Sequence, residues 1–311
     1  MIHSFVHVEQ LYEVTERHPT FVAVGSFDGV HLGHQAVLQK MVAAAQEVGA
    51  RTAVLTFFPH PKRVLQQLTE PYYLGSLAER VENLANQGID LVITHPFNAE
   101  VRKTRAATFV EQLCHYLDMR QLWGGNFTLG YQREGDIPFL QRLGAEKGYT
   151  VEMIETAVTW QGERVSSTRI RRSLLEGNLD DVNGCLGRPY QVSGTVIQGK
   201  QMGRTIGFPT ANIDFWVEQL LPANGVYATY AWLDETRHLA ATNIGVRPTV
   251  NGQKLTVEAH LLDFNEDIYG RSLRLEIVER IRPETKFSDL DALKAQIQMD
   301  VDQVRRLLSK K

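Results

Sequence analysis

Short β-branched segments alternate with amphipathic segments over the first half of the chain. The β-branched segments predict strands, and they are followed by stretches in which apolar residues recur every three or four positions. Such alternation is typical of a parallel sheet wrapped by helices. The predicted strands cover residues 21–24, 52–57, 90–94 and 150–154.

Three of the amphipathic stretches carry clear helix signals. The first buries one face between Val37 and Val48 and stops at Gly49. The second opens with a capping box at Ser76 and stops at Gly88, and the third is centred on residues 109–117. We therefore expect helices on the predicted sheet.

The rhythm changes after residue 187 to strands without intervening helices. This pattern predicts an antiparallel barrel, and an apolar stripe beginning near Ser288 predicts a final helix that covers an open side of it. Residues 169–186 are interpreted as a helical linker interrupted by Gly177 and Gly184. The predicted domains are 1–186 and 187–311. The predicted barrel strands cover residues 190–198, 226–233, 239–244, 255–262 and 273–278.

Length, composition and charge restrict the function classes. A chain of 311 residues is long enough for two cores. It has 17 basic against 21 acidic residues up to Leu186 and 16 against 15 after it, so neither part has the basic excess of a nucleic-acid binder. No apolar run is long enough for a membrane span, and no leader pattern precedes the first strand. Cys114 and Cys185 are far apart, which favours buried thiols in a reducing compartment. We expect a cytoplasmic protein.

The segment GSFDGVHLGH over residues 25–34 lies between the first strand and the first helix. Ligands bind at this junction in parallel sheets, and helix N-termini attract phosphate. The glycines allow a close backbone approach, while His31 and His34 can donate hydrogen bonds to phosphoryl oxygens. Two alternatives stay open: a metal site, which lacks a third ligand, and histidines that serve local structure only. The string is not G-x-G-x-x-G, so a dinucleotide site is disfavoured.

A second segment, VSSTRIRR over residues 165–172, places hydroxyls before a helix that has cations in its first turn. Those cations oppose the helix dipole unless an anion lies between them. A polyphosphate is such an anion, although an ordinary capped surface helix remains an alternative.

In the second half, GTVIQGKQ over residues 194–201 approaches a P-loop but has Gln201 where Ser or Thr should reach magnesium, so we reject that motif. The flexible basic loop that follows leads to Thr210 and Asn212. Their neutral oxygens lie on one side of an extended chain and suit Mg²⁺ together with substrate phosphates.

Glu258 lies on an otherwise apolar predicted strand, and by alternation it shares a face with Thr256 and His260. A carboxylate at a barrel mouth could serve as a general base. The alternative is an ordinary solvent-facing glutamate on an antiparallel strand.

The two phosphate-type motifs of the first half resemble the signatures of the nucleotidyltransferase superfamily. HLGH at 31–34 resembles H-x-G-H, and SSTRIR at 166–171 resembles S-S-T-x-x-R. Together with TFFPHP at 56–61 and GNFTLG at 125–130, the chain resembles the bacterial bifunctional riboflavin kinase/FMN adenylyltransferase family. The resemblance implies a Rossmann-like α/β nucleotidyltransferase domain in which His31 and His34 polarise the ATP α-phosphate and Asn126 positions FMN. The remaining ATP-binding residues that it implies are Gly25, Phe27, Asp28, Gly33, Ser167, Thr168 and Arg169.

The second half is similar to the riboflavin kinase module of the same family in the order of its motifs. The matching strings are GRPY, GRTIGFPTAN, GVY, NIGVRPT, VEAHLLDF and YG, between residues 187 and 270. The resemblance implies that Glu258 is the base for the riboflavin hydroxyl and that Thr210 and Asn212 coordinate Mg²⁺. It also implies that ATP is bound in this module by Gly203, Arg204, Phe208, Thr210 and Asn212.

The hypothesis is a two-step flavin enzyme with ATP as co-substrate. Riboflavin, FMN, FAD, ADP and pyrophosphate are the other expected ligands, and nucleic acid and membrane are not expected as partners. The sequence does not fix an oligomeric state. Phe58 stands where many members of the family carry a carboxylate, so one alternative is that only the kinase module is active. Another is a flavin-sensing regulator built on the same folds.

Overall fold

The computed structural model describes residues 4–125, 127–154, 157–199, 202–249 and 252–309. Contacts divide the chain into two compact units. The first unit comprises the chain up to Glu70 together with Ser76–Ser166, and the second comprises Pro71–Gly75 together with the chain from Ser167 onward.

The first unit contains the predicted parallel sheet, in the strand order β1-β4-β3-β2-β5-β6. Every neighbouring pair in this sheet runs parallel. Its strands are β1 (Val6–Val8), β2 (Thr20–Gly25), β3 (Arg51–Phe58), β4 (Leu91–Pro96), β5 (Met119–Gly124) and β6 (Thr150–Met153). Its helices are α1 (Leu32–Val48), α2 (Pro61–Leu65), α3 (Leu77–Ala85), α4 (Ala106–Leu117) and α5 (Ile137–Lys147). A short hairpin, β7 (Thr159–Trp160) with β8 (Glu163–Arg164), completes the unit.

The sheet separates two apolar cores, because successive residues of a strand point to opposite faces. On β2, Val22 and Val24 pack into the cluster that contains α4. Phe21 and Ala23 pack into the cluster that contains α1 and α3. Both faces of the sheet are therefore covered, as the near-continuous apolar strands predict.

The strand order places a topological switch point between β2 and β5. The chain steps from β2 through β3 to β4 on one side and then crosses to β5 on the other side. In open parallel sheets, the crevice outside the carboxyl ends at such a point is the usual ligand site. The segment 25–34 begins at the end of β2 and therefore lies at this crevice.

The second unit is built on a closed antiparallel barrel in the order β10-β13-β12-β11-β14-β9. The predicted barrel is confirmed. Its strands are β9 (Tyr190–Ile197), β10 (Ala211–Phe215), β11 (Gly225–Leu233), β12 (Thr236–Thr249), β13 (Gly252–Leu261) and β14 (Ser272–Arg282). Its helices are α6 (Ser167–Glu176), α7 (Leu179–Leu186), α8 (Met202–Thr205) and α9 (Leu290–Leu308).

Helix α9 covers the outer face of the barrel, as the apolar stripe predicts. Val301, Val304 and Leu308 are buried against Ala228 and Tyr230 of β11. Thr229, which lies between these two on β11, is also fully buried and points to the barrel interior. One face of β11 thus faces the helix and the other fills the barrel.

Helices α6 and α7 differ from the predicted linker. Gly177 has φ +74° and separates them, as predicted, whereas Gly184 lies inside α7 and interrupts nothing. By contacts these helices group with the barrel, because the Asn183 side chain donates to the carbonyls of Ile277 and Val278 on β14. The domain boundary proposed after Leu186 stays a prediction.

Among the described residues, no helix combines the length and the hydropathy that crossing a bilayer requires.

Two positions of helix α1 offer a test of where the first core lies. Leu38 is fully buried, whereas Val48 at the end of the same helix is 68% exposed. We expect Leu38→Ala to lower the free energy of unfolding of the first unit by about 2–5 kcal/mol, and Val48→Ala to change it by less than about 0.5 kcal/mol. Hydrogen exchange of the β2 and β3 amides in the full chain measures both changes, and equal effects of the two variants would contradict the packing described.

Candidate functional site

The turn between β2 and α1 has an unusual backbone. Phe27, Gly29 and Val30 have φ values of 43°, 81° and 40°. A positive φ is unfavourable for a bulky or β-branched residue, so this turn persists only because its surroundings hold it. Phe27 and Val30 are both buried in the apolar cluster that contains α1 and α3, and this burial supplies that support. Backbone strain of this kind concentrates at functional sites.

His31 and His34 form a stacked pair at the N-terminus of α1. Their ring centroids are 3.7 Å apart with an interplanar angle of 13°. His31 is the N-cap, and its Nδ1 accepts a hydrogen bond from the backbone N–H of His34 at 3.3 Å. A Cβ on Gly33 would lie 3.2 Å from the His31 ring, which explains the small residue between the two histidines.

His34 is held in its neutral form. Burial sets the pKa of His34 well below its usual value of 6.5, and electrostatic interactions with His31 and Arg80 lower it further. The His34 ring packs beside Phe27, with a centroid distance of 5.0 Å, and its buried Nδ1 has no hydrogen-bond partner among the described residues. A buried polar atom without a partner is costly, so it marks a place where a ligand group fits.

Asp28 belongs to this turn, and the residue is only 1% exposed. Its Oδ1 is 3.5 Å from Nη2 of Arg80 on α3, whose side chain is 2% exposed. Sequence reasoning did not select Arg80, because an arginine on an amphipathic helix ordinarily lies on the solvated face. The Ser76 capping box, which sets where α3 begins, was the signal that could have located it.

The histidine pair lines a cavity of about 600 Å³ at the switch point. The cavity joins the ends of β2 and β5 and also contacts Arg164, Val165 and Ser166. The expected phosphate site of the first half is therefore a real concavity, and Gly25, Phe27 and Gly33 line it as well. Asp28 supports the turn from below.

A second cavity of about 810 Å³ adjoins the first. The two share Val24, Gly25 and Phe127 in their walls. This second cavity is lined by aromatic rings and by basic side chains. These side chains are Phe57, Phe97, Phe109, Phe127 and Tyr131, with Lys62, Arg102 and Arg133. Sequence reasoning missed most of them, since they come from five separate segments. Asn126, expected at the flavin, lies outside the described residues.

Ser167, Thr168 and Arg169 open helix α6. Arg169 is buried, and its guanidinium binds both carboxylate oxygens of Asp181 on α7. The predicted phosphate contact of Arg169 stays a prediction, with the guanidinium already engaged in the protein. Arg171, at the last position of the S-S-T-x-x-R pattern, was not selected from the sequence. Its Nε donates to the carbonyl of Tyr72 at 2.8 Å, and its guanidinium lies 3.7 Å above the Tyr72 ring.

In the barrel, strand register collects a row of polar side chains. Glu258 of β13 is paired with Asn212 of β10 on one side and with Asn243 of β12 on the other. Directly paired residues share a face of the sheet. Asn243 is in turn paired with Val226, which lies on the face of β11 that α9 covers. The row therefore lies on the outer face, and the expectation that Glu258 faces the barrel mouth is corrected.

Glu258 lines a cavity of about 360 Å³ between the barrel and α9. Thr256 and His260 line the same cavity, which confirms their predicted shared face. The His260 ring is fixed by a 2.7 Å hydrogen bond with the Pro209 carbonyl and by an edge contact with Phe208. The far wall carries the Arg282–Asp300 ion pair, with Nη2–Oδ2 at 2.8 Å.

A neighbouring cavity of about 430 Å³ is lined by Arg204 and by the segment 264–269. Thr210 lines both cavities, and Gly203 and Phe208 line only the one with Glu258. Arg204 and Phe208, expected on one side, thus face two different spaces. Asn212 packs its amide against Gly199, where a Cβ would come within 2.3 Å of Nδ2.

Comparison with known proteins agrees with this division of sites. A family model described as FAD synthetase matches residues 13–169, and one described as riboflavin kinase matches residues 186–308. A bifunctional riboflavin kinase/FMN adenylyltransferase of Pseudomonas fluorescens is 38% identical over 304 residues, covering 96% of this chain and 97% of the relative. The chain belongs to the bifunctional riboflavin kinase/FMN adenylyltransferase family.

A second family member matches most of the chain, and one solved structure shares its fold over nearly the whole length. The family member of Escherichia coli K12 is 38% identical over 282 residues, covering 90% of each chain. A crystal structure from Streptococcus pneumoniae, described as a macrolide-efflux protein, has a TM-score of 0.88 at 27% identity and covers 98% of this chain and 99% of its own. The first unit accordingly has the nucleotidyltransferase-like fold of the family and the second its barrel, which confirms the expected order.

The buried environment of His34 predicts its titration. Because burial and neighbouring positive charge disfavour the protonated ring, we expect the His34 imidazole to titrate clearly below pH 6.5. NMR of histidine-labelled protein measures this, with His34→Gln identifying the signal. A midpoint at or above 6.5 would contradict the environment described.

Proposed function

We propose that the barrel converts riboflavin to FMN and that the α/β domain converts FMN to FAD, each with ATP as co-substrate. The observation that carries this proposal is that each half has its own concave site built for phosphate. One site pairs a helix N-terminus with two imidazoles, and the other aligns a carboxylate with neutral oxygen donors. The ATP requirement fits the cytoplasmic location expected from the sequence.

In the barrel, Glu258 is the proposed general base. Its carboxylate takes the proton of the riboflavin 5′-hydroxyl while that oxygen attacks the ATP γ-phosphorus, and ADP leaves. The position of Glu258 in the cavity under α9, beside the cavity of Arg204, supports this role. A flavin under α9 and ATP beside Arg204 would meet at Thr210, which lines both spaces.

The flavin side of the kinase site includes Phe208 in this proposal. The sequence-based expectation had placed Phe208 with ATP, but its ring lies in the Glu258 cavity and contacts His260 at 5.5 Å between centroids. An aromatic wall suits a planar flavin ring. Gly203 allows the loop to close on itself, since a Cβ there would lie 2.3 Å from the Phe208 carbonyl.

Thr210 and Asn212 would hold Mg²⁺ in the kinase site. Their donor set fits, because Mg²⁺ takes few protein oxygens and completes its shell with phosphate oxygens and water. Asn212 also lies beside Glu258 in the strand register. When bound, the ion neutralises phosphate charge and orients the transferred group.

In the first domain, His31 and His34 are the proposed contacts of the ATP α-phosphate. Free N–H groups and the dipole at the start of α1 attract the phosphates, and the imidazole N–H groups donate hydrogen bonds. An oxygen of the FMN phosphate attacks the α-phosphorus and pyrophosphate leaves, with no covalent enzyme intermediate. By family resemblance, Ser167, Thr168 and Arg169 bind the outer phosphates, and Asn126 positions FMN.

The aromatic cavity beside the histidines is the proposed place for the flavin ring. Its walls provide stacking surfaces, and Gly25 borders both this cavity and the cavity lined by His31. Phe58 is not among the described residues that line either cavity, so the proposal gives it no contact with substrate.

An assay with riboflavin, ATP and Mg²⁺ separates the alternatives. A flavin-sensing regulator forms no product, and a chain with only the kinase module active stops at FMN. We expect FMN to form first and FAD to accumulate after it, and chromatography of the flavins over time measures both. An end point at FMN in the presence of excess ATP would overturn the second half of the proposal.

Replacing Glu258 tests the kinase base. Glu258→Gln removes proton acceptance while keeping the shape, so we expect riboflavin phosphorylation to fall by about 100- to 10,000-fold. FAD formation from supplied FMN stays unchanged. The matched control is Glu279→Gln at an exposed position of the same barrel. Loss of both activities in a folded Glu258→Gln protein would contradict the assignment.

Replacing His31 tests the other site. His31→Ala removes a hydrogen-bond donor from the reacting phosphate, so we expect adenylylation to fall by about 100- to 1,000-fold. Riboflavin phosphorylation should persist and FMN should accumulate. His115→Ala on exposed α4 surface is the control, and FAD formation at the wild-type rate in His31→Ala would reject the role.

A further inference from the structure

The buried Arg80–Asp28 ion pair lies next to the histidine site but has no place in the chemistry derived so far. Arg80 extends from α3 under the turn that follows β2, and both side chains are at least 98% buried. Burying two charges is expensive, and apolar residues of similar size often stabilise a protein as well. This pair therefore calls for a reason other than stability.

The position of Arg80 along its helix strengthens this point. It is the fourth residue of α3, close to the helix N-terminus, where the macrodipole disfavours a cation. Helix dipole and burial thus both disfavour a positive charge here. The arginine is nevertheless present, and its guanidinium is directed at the reactive end of the sheet.

Arg80 connects the end of β3 to the strained turn. Its Nη1 donates to the Phe57 carbonyl at 3.2 Å and to the Thr56 Oγ1 at 3.4 Å. The Thr56 hydroxyl in turn donates to the Ser26 carbonyl at 2.9 Å. Both the entry of the turn at Ser26 and its buried carboxylate at Asp28 are thereby attached to one guanidinium.

The same guanidinium also acts on the histidine pair through its charge. Among the described residues, the charged and titratable groups around His34 are His31 at the N-cap of α1, Asp28 in the turn, Arg80 on α3 and Arg164 on β8. Arg80 and His31 oppose protonation of His34. The arginine therefore contributes to a neutral imidazole as well as to the geometry of the turn.

We propose that Arg80 is a positioning residue for adenylyl transfer, holding the turn at Asp28 and so keeping the stacked imidazoles in place for the α-phosphate. This inference rests on the proposed adenylyltransferase function of the same site. Arg80 itself contacts no reacting atom. Its effect reaches the reaction through Asp28, Ser26 and the histidines.

Arg80→Met in the full chain tests the proposal, with Arg80→Lys as the charge-retaining variant. Since small displacements of a reacting group cost up to about 100-fold in rate, we expect kcat of FAD formation from FMN to fall by about 10- to 100-fold in Arg80→Met. The KM for FMN should change by less than about twofold, because uniform binding is not removed. Arg80→Lys should recover part of kcat.

The second measurement is the NMR titration of His34. Losing the Arg80 charge should raise the pKa of His34, and the acid limb of the rate profile should move to higher pH with it. Arg80→Lys should leave the pKa of His34 low. Arg51→Met removes an arginine from the opposite end of β3, where Nη2 donates to the Glu16 carbonyl, and should change neither quantity. An unchanged His34 titration and kcat in Arg80→Met would overturn the proposal.

Riboflavin phosphorylation by the same protein serves as the internal reference for each variant. If Arg80→Met does not fold, the double variant Arg80→Met with Asp28→Asn also replaces the buried carboxylate that has lost its arginine, and the proposal expects this protein to fold and to stay slow in FAD formation. Wild-type rates in that double variant would refute it. Failure of wild-type protein to form FAD would instead refute the proposed function, so the two failures are distinguishable.

Discussion

Strand register is the constraint on which both sites depend. In the barrel, Asn212, Glu258 and Asn243 lie side by side only because β10, β13 and β12 pair at these positions. A slip of one residue in β13 would turn Glu258 into the barrel interior and place Val257 in the cavity. In the first domain, the parallel register sets the ends of β2 and β5 beside each other, which creates the crevice for the histidines.

The two halves handle phosphate by different means. The first uses backbone N–H groups at a helix end and two imidazoles, of which burial favours the neutral form of His34. The second uses oxygen donors suited to a metal ion and a carboxylate suited to accept a proton. This difference matches the chemistry: an FMN phosphate is already an anionic nucleophile, whereas the riboflavin hydroxyl must lose a proton.

The sequence predicted much of this because local signals were strong. Local sequence is enough to indicate the apolar strands 21–24 and 52–57, the helix cap at Ser76 and the apolar stripe of α9. It missed β5 and β10, whose segments MRQLWG and ANIDF lack β-branched runs and are fixed by their neighbours in the sheet. It also missed β1, β7 and β8, which are only two or three residues long.

The site residues divide in the same way into those with a local sequence signal and those without one. His31, His34 and Glu258 stand in motifs and were found, and Thr256 and His260 followed from alternation. Arg80 and the aromatic cavity come from segments that meet only in the folded chain. Arg169 was selected because cations open its helix, yet its partner Asp181 is set by how α6 and α7 pack, which local pattern does not reveal.

The central claim is that one chain catalyses attack on two different phosphorus atoms of ATP, on the γ-phosphorus by riboflavin and on the α-phosphorus by FMN. The most direct test is to incubate the protein with riboflavin, Mg²⁺ and ATP that is labelled at either the α- or the γ-phosphate. Chromatography then shows which flavin carries the label. The account predicts that γ-label enters FMN and is retained in FAD, while α-label enters FAD only. Absence of α-label from every flavin product, or its appearance in FMN, would contradict the account.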